Sequence, residues 1–350
     1  MPRAIKHFDL HQVEGTDLRV VSDVESGVLA VIEAEDEVVR RYAARGFWRH
    51  DWVDLFILQD LQVLAEQLAG AGGGLPPGGT QALDRRPVVN AFDLRDLSGC
   101  HVFVNHKVMV EEGYWGDPAA VRALLAHEHA HPLSENPTVA ASRALRLRSP
   151  HAPAAEGQPS LNGRPSLEKL AAALAEKLCC YGPREVFAND LTVAAGCGDD
   201  LFHLDELVVA AAARDVVGRS ALVDLLEADV AQGKLPRRNA GQALLLGDLR
   251  SCLDLAMEIA PFYRAGRPDQ AAALEAILFE QVFPRLESPV EGTYRTVRDL
   301  YVELGADLTG AALVAWAGRV LDPLLGVLRE RGLELDLSLN LSEKEEGTHA

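Results

Sequence analysis

Asp117-Pro118-Ala119-Ala120-Val121-Arg122-Ala123-Leu124-Leu125-Ala126-His127-Glu128-His129-Ala130-His131-Pro132 is the stretch that decides how this chain is read. Aspartate followed by proline is a strong helix start. The carboxylate accepts the unpaired amides of the first turn, and proline has no amide to leave unpaired. The alanine- and leucine-rich run that follows sustains a helix to about His131, where Pro132 discourages continuation. His127 and His131 are four positions apart on one helical face, so their imidazoles can reach one metal ion. Zinc suits such ligands. Glu128 projects beside that ion, where a general base takes a proton from water that the metal activates. His129 points away from this face and is read as structural.

Upstream, two β-branched runs at 18–24 and 28–34 flank Ser26-Gly27 and predict two strands joined by a short turn. Residues 53–68 carry leucine and valine at helical spacing and predict a helix, ended by a glycine- and proline-rich loop at 70–79. Further strands are expected over 87–92 and 100–104. Downstream, 148–164 holds Pro150, Pro153, Pro159, Gly157 and Gly163 and reads as irregular. After Ser166 the pattern is almost wholly helical. A break is expected at Gly182-Pro183, with helices over 184–195, 203–217, 221–231, 240–260, 269–282, 296–304 and 310–331. Thr309 can cap the last, and Gly332 stands where a left-handed terminator belongs. The expected class is α+β: an α/β domain over 1–198 with an irregular insertion at 146–166, a helical lobe over 199–336, and a polar tail over 337–350.

The 350 residues are 48% hydrophobic and 25% charged, a folded composition with a core that needs no disulfide staples. Lys and Arg total 34 against 52 Asp and Glu, a formal charge of -18, which argues against a nucleic-acid partner. No uncharged apolar run reaches the roughly 18 residues of a membrane span; the longest candidate, 308–318, is closed by Arg319 and Asp322. The amino terminus lacks the apolar stretch of a signal peptide. Cys100, Cys179, Cys180, Cys197 and Cys252 form no CxxC pair and are odd in number. They are expected as small buried hydrophobes in a reducing cytoplasm.

Two histidines do not complete a catalytic zinc site, which takes a third protein ligand. Ser134 and Pro137 stand where a metzincin would carry Gly and His. A glutamate from a later helix is the remaining option. Glu185, in Glu185-Val186-Phe187-Ala188-Asn189-Asp190, is the best candidate, because Ala188 permits close helix approach and Asn189 shares its face. Glu176, Glu135 and His151 are weaker candidates. Asn189 or Asp190 can orient a ligand from behind. Tyr181, Tyr114 and His203 could each polarise a substrate carbonyl, and the sequence offers no ground for choosing among them.

His127-Glu128-His129-Ala130-His131-Pro132-Leu133 followed by Glu185 to Asp190 resembles the zincin metallopeptidases that use a glutamate third ligand. It is most similar to the ImmA/IrrE-type group, with H-E-x-x-H and then E-x-x-A-N. Val102-Phe103-Val104-Asn105 resembles the strand ending in asparagine that precedes the helix in that group. The resemblance covers roughly 87–195. It implies a zincin-like core, a small sheet plus an active-site helix, with zinc on His127, His131 and Glu185. It also implies Glu128 as general base and a peptide or protein substrate, which an edge strand can hold through backbone hydrogen bonds. The segment 148–164 falls in sequence between the two metal-binding helices, as a lid or cleavable loop would. The helix-turn-helix often attached in that group is not evident. An alternative keeps the zincin frame without catalysis, as a regulatory module whose helical lobe binds a protein partner; His129-Ala130-His131-Pro132 is its main support. A third reading has the metal hydrolyse an amide in a small molecule.

Overall fold

The computed structural model describes residues 4–62, 64, 84–148 and 166–342. β1 (His7–Val13) and β2 (Thr16–Ser22) form an antiparallel hairpin across Glu14 and Gly15, both at positive φ as the tightest hairpin turns require. α1 (Val28–Ala44) then carries the chain to β3 (Trp52–Leu58), which lies parallel to β2. β4 (Val88–Asp93) and β5 (Asp96–Asn105) complete a five-stranded sheet in the order β1-β2-β3-β5-β4. The central strands β2, β3 and β5 run parallel, and both edges are antiparallel. The strands expected over 87–92 and 100–104 are β4 and part of β5.

Two assignments are corrected in this sheet. Residues 28–34, expected as a strand, open α1. Its buried residues Val28, Val31, Ile32, Glu35, Val38, Val39 and Tyr42 recur every three or four positions, and Gly27 starts the helix at a φ of 80°. The β-branched run hides that helical period, which shows only when the window extends past Ala34. Residues 53–58, expected to open a helix, belong to β3. A central strand buried on both faces loses its alternation: Val53, Asp54, Leu55 and Ile57 are all buried. α2 (His106–Glu111) and α3 (Pro118–Leu133) follow, α3 being the helix expected from Asp117-Pro118, carried two residues past His131.

The chain divides into two compact units, Met1–Ser134 with Ala188–Leu204, and Glu135–Phe187 with Asp205–Ala350. The sequence reading drew one cut after 198, whereas this division is discontinuous. The second unit is helical: α4 (Pro137–Ser142), α5 (Leu167–Glu176), the start of α6 (Gly182–Thr192), most of α7 (Gly198–Ala231), α8 (Arg237–Arg264), α9 (Pro268–Ile277), α10 (Ser288–Val302) and α11 (Gly310–Glu330). A two-stranded sheet pairs β6 (Leu145–Arg148) with β7 (Ser338–Leu341). Leu249, Leu253, Phe262, Tyr294, Tyr301 and Leu324 are among the side chains that fill its interior. α11 has the length and mean hydropathy (1.5) of a membrane span, yet Leu313, Trp316, Val320, Leu324 and Leu328 turn inward. The Trp316 indole donates to the Leu300 carbonyl. Such inward packing is what a core helix shows.

Gly182-Pro183 does not break the helix as expected. Lys177–Tyr181 forms a π turn with the Gly182 amide bonded to the Lys177 carbonyl, and the wider turn absorbs the amide that Pro183 lacks. The kink falls instead at Gly196, at a φ of 92°. The helices expected over 203–217 and 221–231 are the single α7, its Gly218-Arg219-Ser220 stretch held by a fork of Arg219 on Asp248 at 2.9 and 2.7 Å. α10 begins eight positions before the expected 296, at Ser288-Pro289. Thr309 occupies the cap position of α11 without a side-chain capping bond, and Gly332 is left-handed as expected. The loop over 70–79, nearly all of 148–164 and the tail beyond 342 lie outside the described residues.

A methyl group at Gly182 would overlap the hydroxyl of buried Tyr301, which donates to Leu178 O at 2.7 Å. Gly182→Ala is therefore expected to destabilise by about 1–3 kcal/mol in urea unfolding. Gly292→Ala, where nothing lies within 4 Å of the new methyl, should stabilise α10 by about 0.5–1 kcal/mol.

Candidate metal centre

Asp117 accepts from the amides of Ala119 and Ala120 at 3.0 and 3.1 Å, so α3 starts where the sequence places it. Its first turn is also tied through Asp117 Oδ2 to His203 Nε2 at 2.7 Å. The helix is then fixed along its length. Arg122 donates to Asp200 at 2.6 Å, Arg41 of α1 reaches the same carboxylate at 2.6 Å, and buried Tyr42 donates to the Ala126 carbonyl at 2.7 Å.

Directly after Ala126 the helix presents His127, Glu128 and His131, half-buried, with ligand atoms all within 4.8 Å of one another. The two imidazoles meet edge to face, centroids 4.7 Å apart and planes at 83°. His127 Nδ1 lies 2.6 Å from the side-chain oxygen of Asn189. An amide oxygen only accepts, so Nδ1 carries the proton and Nε2 keeps its lone pair for a metal. Asn189 is fully buried near the end of α6, where Thr192 donates to the Ala188 carbonyl at 2.9 Å. Glu128 is held by Asn90 of edge strand β4. The Asn90 amide donates to Glu128 Oε2 at 3.2 Å, and its side-chain nitrogen donates to the Glu128 carbonyl at 3.1 Å. These residues can hold a metal with a carboxylate beside it.

Glu185 lies in the first turn of α6, one turn before Asn189, on the stretch that belongs to the second unit. Asp190 is half-buried on the same helix. Glu135 pairs with Arg143 at 2.6 Å, Glu176 ends α5, and His151 lies outside the described residues. His203 sits at the opposite end of α3 from His127 and His131. Tyr114 is nearly buried, and Tyr181 lies under the Arg184 guanidinium at 4.4 Å.

The sequence reading missed Asn90, because nothing local marks which residue of a strand will face a helix almost forty positions later. It also missed a second cluster. On the far side of α3, His129 meets His50 and Cys100, all buried and with ligand atoms within 4.8 Å of one another. His129 Nε2 lies 2.7 Å from the carboxylate of Glu35, and both side chains are fully buried. Burial opposes a charge on His129, but Glu35 and Cys100 hold its pKa up to about 10. Burial, with His129 as neighbour, pushes His50 down to about 4, so His50 is neutral near pH 7. All five cysteines are free and buried, as expected.

No family model, curated protein or solved structure matches this chain. The α+β class and the two clusters able to hold a metal therefore stand on the chain's own geometry.

The Asn189 contact generates a direct test. Asn189→Leu should weaken metal binding roughly 10–100-fold in competition with a chelator, whereas Asn189→Asp, which keeps an acceptor for His127, should bind nearly as well as the parent. Equal affinity in all three proteins would remove Asn189 from the site.

Proposed function

We propose that the chain is a zinc-dependent metallopeptidase with a zincin-like core, in which Glu128 is the general base. The observation that carries this reading is the His127–Asn189 contact. It leaves one imidazole lone pair directed for metal binding, beside His131 on the same face and Glu128 next in sequence. The donor set, two imidazoles with a carboxylate alongside, fits zinc. Glu185 is the proposed third ligand, supported by its E-x-x-A-N spacing to Asn189 on one continuous helix.

Zinc held there would polarise a carbonyl and acidify a water molecule. The chain's own residues would do the rest. Glu128, with Oε2 steadied by the Asn90 amide, holds a carboxylate at the site to take a proton and pass it to the leaving amine. Among the described residues β4 pairs with β5 alone, so its outer edge can take an extended peptide as an added strand. This favours a peptide or unfolded protein over a small-molecule amide. Five free thiols are in keeping with a reducing compartment.

A second reading, an inactive module that binds a protein partner, draws on the same Asn90 contacts, which tether Glu128 at both its backbone and its carboxylate. One experiment separates the two. Glu128→Gln should lose at least about 100-fold of the rate on an unstructured protein substrate while keeping its zinc, and Glu185→Ala should lose the zinc itself. A Glu128→Gln variant as active as the parent would eliminate the peptidase reading. Zinc retained in Glu185→Ala would move the third ligand elsewhere, with Glu176 next.

A further inference from the structure

We infer that His50, Cys100 and His129 form a second, buried binding site for a thiolate-preferring divalent cation, zinc by its chemistry, with Glu35 orienting His129. The site is distinct from the His127–His131 face and does not depend on catalysis there. It is assembled from four segments of the first unit: the loop before β3, β5, α3 and α1.

The carrying observation is an orphaned atom. His50 Nδ1 lies 2.7 Å from the Leu97 carbonyl, which only accepts, so Nδ1 bears the proton. Nε2 is then a bare lone pair. It is buried and has no hydrogen-bond partner among the described residues, in a side chain only 2% exposed. The indole of Trp48, packed edge-on against both His50 and His129 at 5.0 and 4.9 Å, does not serve it, since its N–H goes to Thr16 Oγ1 and the His50 carbonyl. A buried polar atom left in this way calls for an ion or a water.

His129 shows the same logic. Its Nε2 faces the Glu35 carboxylate at 2.7 Å, and its Nδ1 is turned to Cys100 Sγ at 3.8 Å. At a tetrahedral zinc ion, bonds of about 2.0 Å to nitrogen and 2.3 Å to sulfur set those two atoms about 3.5 Å apart, within a few tenths of an ångström of the 3.8 Å seen. Glu35 behind His129 and the Leu97 carbonyl behind His50 are the partners that metal-bound imidazoles ordinarily have. One thiolate and Glu35 together balance a divalent charge, so the filled site would be neutral in a region closed to water. Two imidazoles and a thiolate select zinc or a similarly soft ion over magnesium or calcium.

The test uses the full chain expressed in cobalt-supplemented medium, because cobalt(II) reports a thiolate ligand through a near-ultraviolet charge-transfer band. Of the two clusters only this one contains a cysteine. About two metal ions per chain are expected, with the band present both in the parent and in the His127→Ala/His131→Ala double variant, where the metal count drops to about one. Cys100→Ser should abolish the band and also lose about one ion, and His50→Gln should weaken retention of that ion roughly 10–100-fold. No band in the folded parent and double variant would overturn the proposal, whatever the folding of Cys100→Ser. A band that survives in Cys100→Ser would overturn it too, by placing the thiolate elsewhere.

Discussion

Glu35 and His129 meet at 2.7 Å with neither side chain reaching solvent, and that contact sets the rotation of α3 about its own axis. An α-helix turns by about 100° per residue, so once His129 is pinned beneath the sheet the directions of His127, Glu128 and His131 are no longer free. Breaking a buried pair of this kind typically costs about 3–5 kcal/mol, because the partner left behind has no water to turn to. The other restraints on α3 act on its position more than its rotation. Asp117 fixes where it starts, Tyr42 grips its backbone at Ala126, and Asp200 takes Arg122 and Arg41 together.

The outer face gains its order from contacts that are separate in sequence. Asn189 and Asn90 come from α6 and β4, yet each settles the state of a single group: Asn189 the tautomer of His127, Asn90 the position of the Glu128 carboxylate. A metal site formed on one helix alone would leave both imidazoles free to rotate about χ1 and χ2. Fixing His127 in advance would lower the entropy lost on binding an ion, which is why such supporting contacts affect affinity so strongly.

What could be read from the sequence followed how local the determining physics is. The start of α3 and the shared face of His127 and His131 depend on residues within a few positions of one another, and both appear in the fold as read. α1 and β3 were misassigned because a β-branched run and a doubly buried strand each imitate the other's pattern over half a dozen residues. The π turn before Gly182 was invisible for a related reason: a proline rule assumes α geometry, and the helix avoids the penalty by widening. Asn90, Glu35 and His50 were out of reach because their roles arise only when sheet and helix are brought together. Helical spacing turns His129 away from the face that His127 and His131 share, as the fold shows, but what His129 faces instead is not legible in the sequence.

That inner face poses the sharper energetic question. A helix packed against a sheet is most simply stabilised by an apolar residue at its centre, and a leucine at 129 would bury a comparable volume without desolvation cost. Here the same space holds two imidazoles, a thiol and a carboxylate, all buried. Glu35 Oε2 and His50 Nε2 lack hydrogen-bond partners among the described residues. Hydrogen bonds among the four groups do not balance the arrangement, since acceptor atoms outnumber the protons available to them. Positive charge placed among them does. A proton on His129 supplies part of it, and a divalent cation supplies all of it while also engaging the His50 lone pair that no proton in the cluster reaches. The polar residues buried at the back of the helix are thus accounted for together by the proposed cation there, behind the face that carries the histidine pair.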